Sequence, residues 1–141
     1  MGLRTKAREC AFQMLYQWEL TRRPMEEVAE AFWRLRSTLD RTRVRAEELA
    51  RGTQADLSQI DEAIAAASLH WRPDRMAAVD RAVLRLATYE LLREPQTPAP
   101  VILDEAVELA KRFGEADSPA FVNGVLDAVM RKLRGQESSG S

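Results

Sequence analysis

This chain of 141 residues has one cysteine, one histidine and no long apolar run. The lone Cys10 excludes an intrachain disulfide and any Cys-rich metal site. The lone His70 leaves no histidine pair to hold a metal. There is no CxxC, and no glycine-rich loop to cradle a phosphate. No apolar run approaches the ~20 residues that span a bilayer. The start, Met1-Gly2-Leu3-Arg4-Thr5-Lys6, has no apolar h-region, so no secretory signal is expected. Lys6 stands where a myristoylation motif wants Ser or Thr. Carboxylates are abundant, but none falls at a recognisable catalytic spacing. The expectation is a cytoplasmic protein with no membrane, metal, cofactor or catalytic residues.

Strand signals are also missing. Periodicity is helical nearly throughout, and the reading is all-α, a bundle of about seven helices in two packed subdomains. Ala7, Cys10, Ala11, Met14, Leu15 and Trp18 stripe a first helix, which Arg22-Arg23-Pro24 ends. Val28, Phe32, Leu35 and Leu39 stripe a second. A third is predicted from about Arg43 to Leu69, bent near Gly52, with Leu49, Thr53, Leu57, Ile60, Ile64 and Ala67 inward. Trp71-Arg72-Pro73-Asp74 breaks the chain into subdomains 1–72 and 73–135, and residues 136–141 read as a frayed tail. The helix near 75–93 is apolar on more than one face and is the expected central one. A helix from about Val101 to Phe113 should stop at Gly114 as C′.

With catalysis set aside, surface remains. Net charge is −1, but it is unevenly spread. Residues 1–45 hold ten basic and six acidic residues, whereas the rest holds 11 basic and 16 acidic. Such a chain can turn a basic face to a polyanion and an acidic face to a basic protein. On the first helix Arg4 and Arg8 share one shoulder and Lys6 lies on the other. Phe12 and Tyr16 point away from the apolar stripe. Basic side chains beside outward aromatics suit single-stranded RNA: cations neutralise phosphates and rings stack on unpaired bases. Packing against a second layer is favoured for Phe12. Tyr16, with its polar tip, fits either use.

His70 reads as a helix-end residue, and Cys10 as an inert buried hydrophobe. Glu90 shares a face with Val79, Val83 and Leu86, so it needs a partner, such as a neighbouring helix N-terminus. Asp80, on the edge of that face, is open to a partner's basic residue or to an intrachain ion pair.

Ser118-Pro119-Ala120-Phe121-Val122-Asn123-Gly124-Val125-Leu126 opens the last helix, with Ser118 as N-cap and Pro119 at the first helical position. The apolar spacing of Val122, Val125, Leu126, Val129 and Met130 runs through Asn123-Gly124. Glycine inside a helix costs about 1 kcal/mol relative to alanine. Phe121, Gly124 and Ala128 fall on a flank outside the stripe, which is a packing seam or a contact surface. A hydrogen bond to a neighbouring loop is expected for Asn123.

The run Val101-Ile102-Leu103-Asp104-Glu105-Ala106-Val107-Glu108-Leu109-Ala110-Lys111-Arg112-Phe113-Gly114, continued from Asp117 to Asp127, resembles the C-terminal signature of the NusB family of bacterial transcription antitermination factors. Ala7–Trp18 resembles the family's first helix, and Asp80–Leu91 its central helix. The three blocks stand in family order and cover over a third of the chain. The resemblance implies an all-α fold and a non-enzymatic role: binding boxA RNA of nascent ribosomal RNA transcripts with the ribosomal protein NusE. It also implies joining the antitermination complex on RNA polymerase. Carried over by position, the RNA contacts are Arg4, Lys6, Arg8, Tyr16, Phe121 and nearby Asp117. Asp80 and Tyr16 are the partner-protein contacts. The family's arginine cluster is thinner here. Three basic residues imply a single-strand salt slope of about 2, hence weak RNA binding that NusE strengthens. Two other readings are an RNA-binding domain of an rRNA cytosine methyltransferase, and a dimerisation module whose outward residues meet a second copy. The methyltransferase reading requires a downstream S-adenosylmethionine domain.

Overall fold

The computed structural model describes residues 2–135, and the expected tail at 136–141 lies outside them. The described residues form seven α-helices: α1 (Leu3–Thr21), α2 (Met25–Arg34), α3 (Asp40–Ala55), α4 (Leu57–Ala67), α5 (Ala78–Arg93), α6 (Ala99–Phe113) and α7 (Ser118–Arg134). A short 3₁₀ turn at Pro73–Arg75 lies in the linker between α4 and α5. No strand occurs among the described residues, as the 3.6-residue periodicity requires.

On α1 the inward positions Ala7, Cys10, Ala11, Met14 and Leu15 are all buried, while Trp18 is half-buried. The helix closes at Arg22, whose φ of 60° is left-handed and whose N–H donates to the Trp18 carbonyl at 2.9 Å. Val28 and Phe32 of α2 are buried as expected, but Leu35 and Leu39 are not: they are 84% and 59% exposed. The helix has ended by then. Trp33 meets Phe32 edge-on at 4.8 Å, and the Arg36 guanidinium covers the Phe32 ring at 4.0 Å.

The long third helix is two helices, and the break falls at Asp56, not Gly52. Leu49, Thr53, Ile60 and Ile64 point inward, while Leu57 and Ala67 are only half-buried. Gly52 stays helical for a steric reason. A Cβ there would collide with the Tyr89 hydroxyl oxygen and its ring. The glycine lets α3 approach the centre of the bundle.

That centre is α5, with Val83, Leu84, Leu86, Ala87 and Leu91 buried and every helix except α2 packed against it. One continuous core takes side chains from all seven helices. The α6–α7 corner differs in detail from expectation. Gly114 is extended (φ −100°, ψ −169°), not left-handed, and a Cβ there would sit 2.6 Å from the Ser118 hydroxyl. Asp117 is the N-cap residue, and Ser118 is the first residue inside the helix. The buried Ser118 hydroxyl accepts the Glu115 N–H at 3.0 Å, which stitches the corner shut.

Candidate nucleic-acid interface

The corner at Ser118 and the linker at 68–77 bring the starts of α5 and α7 side by side. Between them lies a surface depression of about 680 Å³, lined by His70, Arg72, Arg75, Asp80, Asp117 and Phe121 among others. Asp80 of α5 thus shares one concave surface with Asp117 and Phe121 at the start of α7. Asp117 is exposed. Phe121 is half-buried, resting on the core at its base. One turn along, Gly124 is exposed, and a Cβ built on it meets nothing within 4 Å. No intrachain seam therefore demands this glycine, and the flank faces solvent. Asn123 is also exposed, and the loop hydrogen bond expected of it is not formed among the described residues.

Asp80 forms no ion pair among the described residues. Its Oδ1 is buried and has no hydrogen-bond partner. An unsatisfied buried acceptor costs about 1–3 kcal/mol, which an incoming donor would relieve.

The linker that forms one wall of this depression is firmly held. The Arg81 guanidinium donates to the Pro73 and Met76 carbonyls and pairs with Glu19 of α1. Arg85 makes a two-pronged bond to Asp61 of α4, both contacts at 2.9 Å, and reaches Glu19 at 2.9 Å. It also lies 5.5 Å from the centroid of the buried Trp71 ring. His70 does not pack, as a helix-end residue might. It is exposed in the turn after α4, with its backbone N–H donated to the Ser68 hydroxyl.

Tyr16 borders a second depression of about 340 Å³, together with Gln13, Arg36, Val79 and Phe113. Val79 precedes Asp80, so each depression is lined by a residue from the start of α5. Phe12 is 1% exposed and packs on Phe113 at 5.0 Å, the second-layer role expected of it. Tyr16 stacks on Phe12 at 6.1 Å but stays half-exposed, and its hydroxyl has no hydrogen bond among the described residues.

The amino-terminal cluster divides. Arg4 is exposed and Lys6 partly so, and neither forms an ion pair or side-chain hydrogen bond among the described residues. Arg4 borders a third depression of about 240 Å³ beside Arg45 and Glu94. Arg8, expected at an RNA contact, lies in a buried ion-pair cluster. It is 6% exposed, and its guanidinium holds both Glu90 oxygens at 2.9–3.0 Å and Glu105 at 3.1 Å. Burial works against its charge, but the bonds to Glu90 and Glu105 outweigh it and hold its pKa above the ordinary value. A group so engaged is not free for a phosphate. Glu90 has its required partner, which is this arginine and not a helix N-terminus.

Residues 5–131 match the family described as the NusB family. The chain belongs to the NusB family. It is 49% identical over 133 residues to a transcription antitermination protein NusB of Sorangium cellulosum, covering 94% of this chain and 95% of the relative. The counterpart from Anaeromyxobacter dehalogenans is 47% identical over 131 residues, covering 92% of each. Among solved structures, T. maritima NusB superposes with a TM-score of 0.84 at 39% identity, covering 92% of this chain and 91% of that one. A NusB solved with NusE and double-stranded RNA superposes at 0.85 with 26% identity, covering 94% and 98%. The NusB match takes in Asp80, Asp117 and Phe121, and Arg4 falls just before it.

Arg72 and Arg75 line the main depression but are missing from the residues expected at the interface. The signal was present in Trp71-Arg72-Pro73-Asp74-Arg75: a proline break set between two arginines exposes both. Periodicity marked it only as a boundary.

Proposed function

We propose that this chain is a transcription antitermination factor that binds boxA-type single-stranded RNA together with NusE. In that role it helps assemble the antitermination complex on RNA polymerase during ribosomal RNA synthesis. It acts by binding, not by catalysis. The observation that carries the reading is the gathering of Asp80, Asp117 and Phe121 on one open concave surface, in a chain that matches its NusB relatives nearly end to end. The half-exposed Phe121 ring can stack on an unpaired base, worth about 1–3 kcal/mol. Tyr16 offers a second ring with a free hydroxyl one depression away. Arg4 and Lys6 supply unpaired positive charge at the start of α1. Asp80, on the border of the depression that holds Phe121, is the contact proposed for NusE.

The test is a titration with a boxA-type RNA and a scrambled RNA of equal length, each with and without NusE. The boxA-type RNA should bind more tightly, and NusE should widen the difference. Equal affinity for the two RNAs under both conditions overturns the reading.

A further inference from the structure

Glu19 and Arg81 each stand at the wrong end of their own helix. Glu19 is in the last turn of α1, where the helix dipole disfavours an anion. The Arg81 guanidinium reaches back over the first turn of α5, where the dipole disfavours a cation. Neither charge serves the helix that carries it. They meet instead: Glu19 Oε1 accepts from Arg81 Nε and from Arg85 Nη1. The Glu19, Arg81 and Arg85 side chains are 11%, 18% and 12% exposed, so water screens the cluster little. The second oxygen, Glu19 Oε2, is buried with no hydrogen-bond partner among the described residues. A stranded acceptor costs stability, so the folding of α1 and α5 alone leaves this placement unexplained.

The pairing acts on the linker at 68–77. That linker has few backbone bonds of its own. The Trp71 N–H reaches the Ser68 carbonyl at 3.4 Å, and the Arg75 N–H reaches the Arg72 carbonyl at 2.9 Å. Among the described residues, Arg81 is the one side chain from outside the linker that bonds its backbone, through the carbonyls of Pro73 and Met76. One guanidinium therefore fastens both ends of the 3₁₀ turn. Its aim is set by Glu19: with Nε held by the carboxylate, the planar fork turns Nη1 toward the linker. Without that anion, a long side chain disfavoured at a helix start gains rotamer freedom by leaving for water. Arg85 is anchored separately, by Asp61.

We propose that Glu19 is a positioning residue for RNA binding. It lines a different depression, with Trp18, Arg22 and Asp74, and not the one that holds Phe121. It acts through Arg81, which holds the linker in the shape that completes the wall beside Phe121. This rests on the RNA-binding reading above and adds a residue of α1 that works without touching RNA.

The experiment compares Glu19→Leu, Glu19→Gln and Asp61→Leu with the unaltered protein. Asp61→Leu removes an acid from the same cluster but leaves Arg81 and its linker bonds in place. Both leucine variants lose one negative charge, so any general gain in attraction for RNA is common to both. Amide hydrogen exchange reads the linker, titration with a boxA-type RNA oligonucleotide across salt concentrations reads binding, and circular dichroism melts check folding. Glu19→Leu should speed exchange in the linker. If the clamped linker falls from nearly all molecules to about one in ten, affinity falls about tenfold. The slope of log affinity against log salt should stay unchanged, because no phosphate contact is removed. Glu19→Gln keeps an accepting oxygen and should retain most of the affinity. Asp61→Leu should keep near-native linker exchange and affinity, whatever its melting temperature. Arg81→Lys keeps the charge but trades the fork for a point charge; it should show the Glu19→Leu pattern and decides the matter if that variant does not fold. Unchanged linker exchange or affinity in Glu19→Leu, an equal loss in Asp61→Leu, or a reduced salt slope overturns the proposal. If the unaltered protein binds no RNA at low salt, the failure belongs to the RNA-binding reading, while linker exchange still reports on the clamp.

Discussion

Arg8 on α1 and Glu90 on α5 form a buried ion pair in which both carboxylate oxygens are held at 2.9–3.0 Å, 82 residues apart in sequence. Glu105 of α6 completes the cluster. Removing one partner of such a pair strands the other charge in the core. Arg8→Met should lower unfolding free energy by about 3–5 kcal/mol, whereas Arg8→Met with Glu90→Leu should recover most of the loss. Urea denaturation of the three proteins checks this. A loss under 1 kcal/mol for the single variant would show that the pair contributes little.

The same pair alters the expected salt response. With Arg8 engaged, the amino terminus offers two cations to RNA, Arg4 and Lys6, and its share of the single-strand slope falls from about 2 to about 1.4. Arg4→Ser/Lys6→Ser should remove that share and leave the melting temperature nearly unchanged. A larger loss of slope would point to indirect effects on neighbouring cations.

Gly124 and Phe121 separate folding from contact. Alanine at 124 meets no atom within 4 Å, so Gly124→Ala should stabilise the helix by about 1 kcal/mol. If RNA or a partner approaches this flank closely, the same methyl weakens binding. Phe121→Ala should weaken RNA binding by about 1–3 kcal/mol while helix content is retained. If thermal stability collapses by several kcal/mol instead, the ring is core and the contact reading fails.

Gly52 makes the opposite case. There a methyl would collide with the Tyr89 ring, and Gly52→Ala should destabilise by about 1–3 kcal/mol. Adding Tyr89→Leu should relieve most of the strain. RNA affinity per folded molecule should not change, since the site lies elsewhere; a loss would reveal coupling between them.

Two buried or partly buried acids respond to alkaline pH. Burial pushes the Cys10 thiol up, and burial followed by Glu94 and Asp56 pushes the Tyr89 phenol up. Both raised values favour the neutral form in the folded state. That contribution is complete below the ordinary pKa of each group and is lost as pH rises through the folded value. Stability should therefore decline in the alkaline range, more shallowly in Cys10→Ala. A thiol reagent at pH 8 should label Cys10 only as fast as the protein opens; fast labelling of the native protein would contradict its burial.

Helix number and the inward stripes were legible because 3.6-residue periodicity is a local property. The stripe through Leu35 and Leu39 misled, since an apolar pattern continued after the helix had ended. The break at Asp56 escaped notice because Gly52 is the stronger local breaker, yet Tyr89 gives that glycine its reason. Phe121 and Asp117 are named as contacts by the family resemblance alone, while the open surface around Gly124 needed coordinates. The ion pairs of Arg8 are not legible in the sequence, because spacing on one helix shows a shoulder and not the acids on two other helices that turn it inward.

The sequence by itself determined an all-α chain with its central helix near 75–93, and the exclusion of an intrachain disulfide or Cys-rich site. Those follow from residue counts and from spacing within single segments. Only the tertiary structure decided which charges are spent and which remain free. Arg8 is consumed by Glu90 and Glu105, whereas Arg72 and Arg75 stay open beside Phe121. Charge pairing across helices depends on three-dimensional proximity, and one-dimensional periodicity carries no record of it.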